Sequence, residues 1–184
     1  MSDDIFDIVD SNDCVVGSAP RSQVHARGLM HRASHVLMFK GRGADRMILL
    51  QKRSANKDSY PNIYTTSCSG HVDSGEDYDI AAVREMREET GLSVDMSRLE
   101  KIGKISPCAE TGHEFTFVYE MECDGSEKFS PPPDEVASLD WVKVSDFERQ
   151  IAENPRNFTP SFLCVYRFYL SKRGKQFYLQ LFFQ

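Results

Sequence analysis

The chain has 184 residues, 40% of them hydrophobic, with 22 Lys and Arg against 28 Asp and Glu for a formal net charge of −6. Such a chain suits one soluble globular domain over residues 1–184, with a core large enough to fold without disulfides or structural metal. No run approaches the ~18 apolar residues of a membrane helix, and the acidic balance excludes a general binder of nucleic acid polymers, which need a cationic footprint.

Taken in chain order, Ile5–Val9 and Cys14–Ser18 flank the turn cluster Asp10-Ser11-Asn12-Asp13, which predicts a hairpin. His31–Lys40 and Arg46–Lys52 read as strands separated by Gly41-Arg42-Gly43, and the Thr-rich stretch Ile63–Cys68 as extended chain. Glu76–Thr90 is the clearest helix, closed by Gly91. Leu99–Ser106, Phe115–Cys123 and Leu139–Lys143 read as further strands, with one long loop over Asp124–Asp134. Val144–Glu153 is a helix with Ser145 as its expected cap. Pro160–Leu170 is a second, capped by Thr159 with Pro in its first turn. Strands and helices in this order predict an α/β or α+β fold around a mixed sheet. The apolar end, Gln176–Gln184, predicts a last element packed on the core or covering a partner, so the chain is a monomer or a homodimer. Cys14, Cys68, Cys108, Cys123 and Cys164 are odd in number and form no C-x-x-C pair, and the acidic start carries no leader pattern. Both features predict a cytoplasmic protein with free thiols.

The chemistry concentrates in Gly70–Leu92, GHVDSGEDYDIAAVREMREETGL. On a helix, Glu85, Glu88 and Glu89 fall within an arc of roughly 100°, while Ile80, Val83 and Met86 lie opposite as the expected packing face. Three glutamates at i, i+3 and i+4 repel one another, at a few tenths of a kcal/mol per pair. A hard divalent cation offsets that repulsion, and Mg2+ leans on substrate phosphates as well as carboxylates. Such a cation polarises phosphoryl oxygens and activates water. Three glutamates alone also suit a solvated helix face; the flanking residues decide.

Those flanks are Gly70, five residues, Glu76, seven residues, Arg84-Glu85, an apolar Met86, Arg87, Glu88-Glu89, Thr90, Gly91 and an apolar Leu92. They fill every fixed position of the Nudix box, so the chain resembles the Nudix hydrolase superfamily. The resemblance implies an α/β/α sandwich around a mixed β-sheet, with the box as loop–helix–loop. It implies that the Gly70 carbonyl and Glu85, Glu88 and Glu89 hold Mg2+, with Mn2+ an alternative. Arg84 would orient a neighbouring glutamate, and Glu76 would position the box loop. Glu85 is a candidate general base, as is a glutamate outside the box, Glu114. The implied reaction is metal-dependent cleavage of a diphosphate linkage in a nucleoside diphosphate derivative or similar small organic diphosphate.

A narrower resemblance runs through FDIVDSNDCVVGSAPRSQVHARG, HRASHVLMF, LLQKRSANKDSYPNIY, HEFTFVYE, PDEVASLDWVKVSDF and FTPSFLCVYRFYL. It links the chain to type I isopentenyl diphosphate isomerase and isomerase-like Nudix hydrolases. It implies that Arg53 and Lys57 grip the diphosphate, and that His25, His31 and His71 lie near the isomerase's metal-binding histidines, with His31 and His71 on the substrate side. Three departures favour hydrolysis. Ser69 stands where the isomerase has a cysteine, and Cys68, one residue earlier, would face the other way on an extended segment. Gly112 replaces the first of two paired glutamates, leaving Glu114, and the box itself is intact. Isomerase activity and a catalytically silent nucleotide-sensing domain are the alternatives. Substrate identity stays open: Tyr60, Tyr64, Phe115 and Phe117 suit either base stacking or the core.

Overall fold

The structure, a computed structural model, describes residues 3–174; the expected element at 176–184 lies outside the described residues. The first hairpin pairs β1 (Ile5–Val9) with β2 (Val15–Pro20). Its turn forms because the Asp10 carboxylate accepts the amides of Asn12 (2.8 Å) and Cys14 (2.9 Å), as acidic turn residues do. A short helix not foreseen from the sequence, α1 (Arg21–Arg27), follows between Pro20 and a left-handed Gly28. Only Val24 is buried on it, so it leaves no periodic apolar signal.

The main sheet contains β3 (His31–Lys40), β4 (Met47–Arg53), β5 (Tyr64–Thr65), β6 (Cys68–His71), β7 (Glu100–Ile105), β8 (Glu114–Cys123) and β9 (Val136–Lys143). Its order is β5-β4-β3-β8-β7, with β6 also on β3 and β9 on β4. β3 and β8 run parallel along their whole length, from His31 opposite Glu114 to Lys40 opposite Cys123. On its other side β3 forks. Phe39 and Lys40 pair with β4, whereas Ala33–Val36 pair with β6. The sheet opens between β4 and β6, and α2 (Tyr78–Thr90) covers that opening.

Helices sandwich the sheet. On one face Leu37, Phe39, Ile48, Leu50 and Val118 pack on α3 (Val144–Glu153) and α4 (Pro160–Lys172), through Phe147, Phe162, Val165 and Tyr166. On the other, Val36, Met38, Leu49, Cys68 and Tyr119 meet Ala82 and Met86 of α2. Full burial of a side chain such as Met86 contributes about 1.5–3 kcal/mol. Thr159 caps α4 by accepting the Phe162 amide (3.2 Å), as expected. Ser145 does not cap α3: that helix starts directly from β9 at Lys143, with no side-chain cap. A strand running without a loop into a helix leaves no room for a capping residue.

The expected packing face of α2 holds at Met86, which is fully buried, and at Val83, partly buried against the core, but not at Ile80. Ile80 is 55% exposed. It borders, with Val83, Val94 and Met96, a 670 Å³ surface cavity on the outer side of the helix. The inward stripe is instead Ala82, Glu85, Met86 and Glu89, of which Ala82, Met86 and Glu89 are buried. Glu85 and Glu89 thus face the protein, whereas Glu88 stays at the rim. Small alanines let the helix approach the sheet, and Glu89 is accommodated because hydrogen bonds satisfy it. Among the described residues no helix is long and apolar enough to cross a membrane.

Candidate active site

Gly70 is the third residue of β6, which packs against α2. A Cβ at Gly70 would lie 2.0 Å from the Glu85 carboxylate, so only glycine lets that carboxylate meet the backbone. One turn on, Glu89 Oε2 accepts from the Gln51 amide on β4 (2.9 Å) and from the Ser69 backbone N–H on β6 (3.0 Å). Burial and the Glu89 charge push the Glu85 carboxyl up to about 8, and burial raises Glu89 as well. Two such carboxylates hold a proton unless a cation takes its place. Glu88 is more open, its side chain 48% exposed at the rim.

Arg84 ties this set together. Its guanidinium donates to Glu76 (Nε, 3.0 Å), Glu85 (Nη1, 2.7 Å), Glu88 (Nη1, 3.0 Å) and the His71 carbonyl (Nη2, 2.8 Å). Burial opposes its charge, but the bonds from Glu76 and Glu85 outweigh burial and raise its pKa. Arg84 orients two box glutamates and the box loop at once.

A second cluster lies under the N-terminal hairpin. His25 of α1, His31 of β3 and His71 of β6 bring ligand atoms within 4.8 Å of one another. Glu114 Oε1 stands 3.1 Å from His71 Nε2 and 3.3 Å from His31 Nε2. His31 Nδ1 lies 2.9 Å from the Leu29 carbonyl, which can only accept, so Nδ1 carries the hydrogen. The buried His31 Nε2 then points a lone pair at the carboxylate, close to it but without an aligned hydrogen bond. A proton or a cation among these groups resolves that contact. Burial opposes the Glu114 charge, but the His71 hydrogen bond and the two neighbouring imidazoles hold its carboxyl below the usual range. Burial and the charges of His71 and His31 depress His25 to about 4. Phe6 walls the cluster, stacked on His71 (4.6 Å between centroids) and on His31 (5.8 Å).

Cations collect on the opposite side of Glu89. Arg53, at the end of β4, donates to the Ser59 carbonyl (3.0 Å), and Lys57 pairs with Glu135. Both charges act on Glu89. Arg21, at the start of α1, lies 3.9 Å from Asp58, and its charge acts on both Arg53 and His25. Sequence reasoning missed Arg21 because α1 was missed; the available signals were Pro20 before it and Gly28 after the helix.

Other expectations resolve by position. Cys68 is fully buried on the α2 face, and burial together with Glu89 and Glu85 pushes its thiol well up, so it is no nucleophile. Ser69 pairs with His35 on the opposite face, the face of His31, as the one-residue offset requires. Of the four aromatics, Tyr64 packs on Phe158 in the α3–α4 core, Phe117 lies between Tyr78 and Tyr119, and Phe115 is 5% exposed. Only Tyr60, 51% exposed, is open.

A three-layer α/β/α fold with a glycine-backed, arginine-clamped row of glutamates defines the class, and comparison with known proteins gives the family. The model of the NUDIX domain matches residues 29–162. Over 165 residues, the chain is 31% identical to an isopentenyl-diphosphate Delta-isomerase of Serratia proteamaculans, covering 89% of each. Over 156 residues, it is 33% identical to a prenyl-diphosphate phosphatase of Methanosarcina mazei, covering 83% of this chain and 87% of that one. Among solved structures, the DR0079 protein of Deinococcus radiodurans superposes with a TM-score of 0.68 at 28% identity, covering 82% of this chain and 90% of that one. The chain belongs to the Nudix family. Its enzymatic class is that of the family's hydrolases, which cleave phosphorus anhydrides.

Proposed function

We propose that the protein is a divalent-metal-dependent hydrolase of a small organic diphosphate, with prenyl-type diphosphates favoured over nucleotides. The observation that carries this is the buried pair Glu85 and Glu89 against Gly70, two carboxylates whose raised pKa values mark a place for positive charge. Hard oxygen donors of this kind suit Mg2+ or Mn2+. Glu85, Glu89, the rim Glu88 and the Gly70 carbonyl are the proposed ligands. Bound there, a divalent ion would polarise the phosphoryl group and lower the pKa of water.

The protein's own groups supply the rest. Gln51 and the Ser69 amide hold Glu89 in place, and Arg84 orients Glu85 and Glu88. Arg53 and Lys57, whose charges act on Glu89, and Arg21, whose charge acts on Arg53, are the proposed grip on phosphate oxygens. His25, His31, His71 and Glu114 fit a second cation, held by imidazole nitrogen and one carboxylate. Its imidazole neighbours stabilise Glu114 as an anion, which suits a ligand, and Glu85 is proposed both as a ligand and as the general base. The prenyl preference rests on the Methanosarcina mazei relative and on three candidate stacking rings lying in packed positions. We also infer that residues 1–184 act as one domain in a reducing, cytoplasmic setting. Support comes from the hairpin that adds Phe6 and α1 that adds His25 to the site, and from five free thiols.

A second reading, the isomerase, draws support from the assembled histidines; Ser69 and Gly112 oppose it, because they remove its thiol and one of its paired carboxylates. The deciding experiment is phosphate release from isopentenyl and longer prenyl diphosphates, nucleoside diphosphate derivatives, nucleoside triphosphates and dinucleoside polyphosphates, with Mg2+, Mn2+ or chelator. Metal-dependent release from prenyl diphosphates is the expected result. Release only from nucleotides would overturn the substrate preference. No release, with deuterium exchange into isopentenyl diphosphate, would establish the isomerase instead.

A further inference from the structure

The N-terminal hairpin lies outside the matched residues 29–162, yet it grips the loop that opens the box. The Ser74 amide donates to the Ile5 carbonyl at 2.8 Å, and Phe6 makes an isolated bridge with Asp73. Next along β1 stands Asp7, with each carboxylate oxygen engaged. Oδ1 accepts the Ser74 hydroxyl at 2.6 Å and Oδ2 accepts the Gly75 amide at 3.2 Å. Gly75 has φ 87°, a left-handed conformation that makes this the sharp corner of the loop.

The corner leads straight to the ligand candidates. Glu76 follows it, with its amide on the Asp73 carbonyl (2.9 Å) and its Oε2 on the Asp73 amide (3.2 Å). Glu76 binds Arg84, and Arg84 binds Glu85 and Glu88. We propose that Asp7 is a positioning residue for the metal-holding carboxylates, fixing the Ser74–Gly75 corner so that Glu76 meets Arg84 and Arg84 meets Glu85 and Glu88. This rests on the reading of those glutamates as metal ligands. Asp10 provides an internal contrast: it is in the same hairpin, but its carboxylate caps only its own turn.

The test titrates Mn2+ into the full chain without substrate, followed by electron paramagnetic resonance, alongside thermal melting and amide exchange at Ser74 and Gly75. Asp7→Asn keeps the shape and loses one acceptor. It is expected to weaken Mn2+ binding about tenfold, the usual scale for partners behind a ligand, to speed exchange at both amides, and to leave the melting temperature nearly unchanged. Asp10→Ala, which removes the acceptor of both turn amides, is expected to lower the melting temperature without moving Mn2+ affinity. Ser74→Ala should weaken Mn2+ binding in the same direction, and the double variant Asp7→Asn/Ser74→Ala should be less than additive. Wild-type Mn2+ affinity in Asp7→Asn, or equal losses of affinity in Asp7→Asn and Asp10→Ala, would overturn the role of Asp7 alone. A wild-type chain that binds no Mn2+ would overturn the ligand reading and the proposal with it, whereas the exchange rates would still report the Asp7 contact.

Discussion

At Glu89 a carboxylate is surrounded by protein and held by two hydrogen bonds from other strands. Glu89→Gln keeps the volume and removes the charge that a cation needs. We expect turnover to fall by at least about 100-fold with an unchanged circular dichroism spectrum, since a ligand should matter at least as much as the partners behind one. Steady-state kinetics checks this, and wild-type turnover would remove Glu89 from the machinery. His35 makes a different prediction. It is 4% exposed, and its Nδ1 lies 3.0 Å from the Thr66 hydroxyl, which itself donates to the Cys68 carbonyl at 3.2 Å. His35 Nδ1 is therefore the donor, and burial depresses its pKa from 6.5 to about 4. A depressed histidine pKa means that the unfolded chain binds the proton first. Stability contributed by neutral His35 is present above pH 6.5 and is lost as pH falls from 6.5 towards 4. The full effect is about 3 kcal/mol. Urea unfolding between pH 7 and 4 should show that slope flattened in His35→Asn.

Among the elements, the hairpin is pinned by Asp13. Its side chain, 7% exposed, accepts from Arg32 Nε (2.6 Å), Lys104 Nζ (2.6 Å) and the Tyr78 hydroxyl (2.8 Å), joining hairpin, sheet and α2. Asp13 also has φ 65°, which glycine adopts more easily than alanine. Asp13→Ala should destabilise by about 2–3 kcal/mol and Asp13→Gly by less, read from denaturant midpoints. The same scale shows what the sequence could and could not reveal. The box was legible because its fixed spacings need no tertiary information, and the long strands because their apolar runs are strong. The inward direction of α2 was not legible, because its stripe of Ala82, Glu85, Met86 and Glu89 mixes a weak hydrophobe with acids, while the larger Ile80 points outward. Burial of Glu89 depends on Gln51 and Ser69, two segments away. The Arg21 cation was hidden because α1 buries a single side chain.

Across the molecule, burial of two adjacent carboxylates, whose pKa values it raises, makes the metal-free protein less stable at neutral pH than its packing allows. An ion that binds only the folded chain adds RT ln(1 + [L]/Kd), about 2.7 kcal/mol at a hundredfold excess over Kd. Mg2+ should therefore raise the melting temperature of the wild type and leave that of Glu89→Gln nearly unmoved, measured by calorimetry with and without chelator.

The parallel union of β3 with β8 has a consequence for how the chain reaches this state. His31 meets Glu114 only after everything between them, the box included, has been drawn into one loop. Closing a loop that long costs entropy before the pairing repays it, and topologies rich in such distant contacts fold in milliseconds to seconds. Pairing of the two central strands thus also delivers Glu114 to its histidines. The box glutamates precede Glu114 in the chain, so the histidine cluster is complete only once that distant partner has paired.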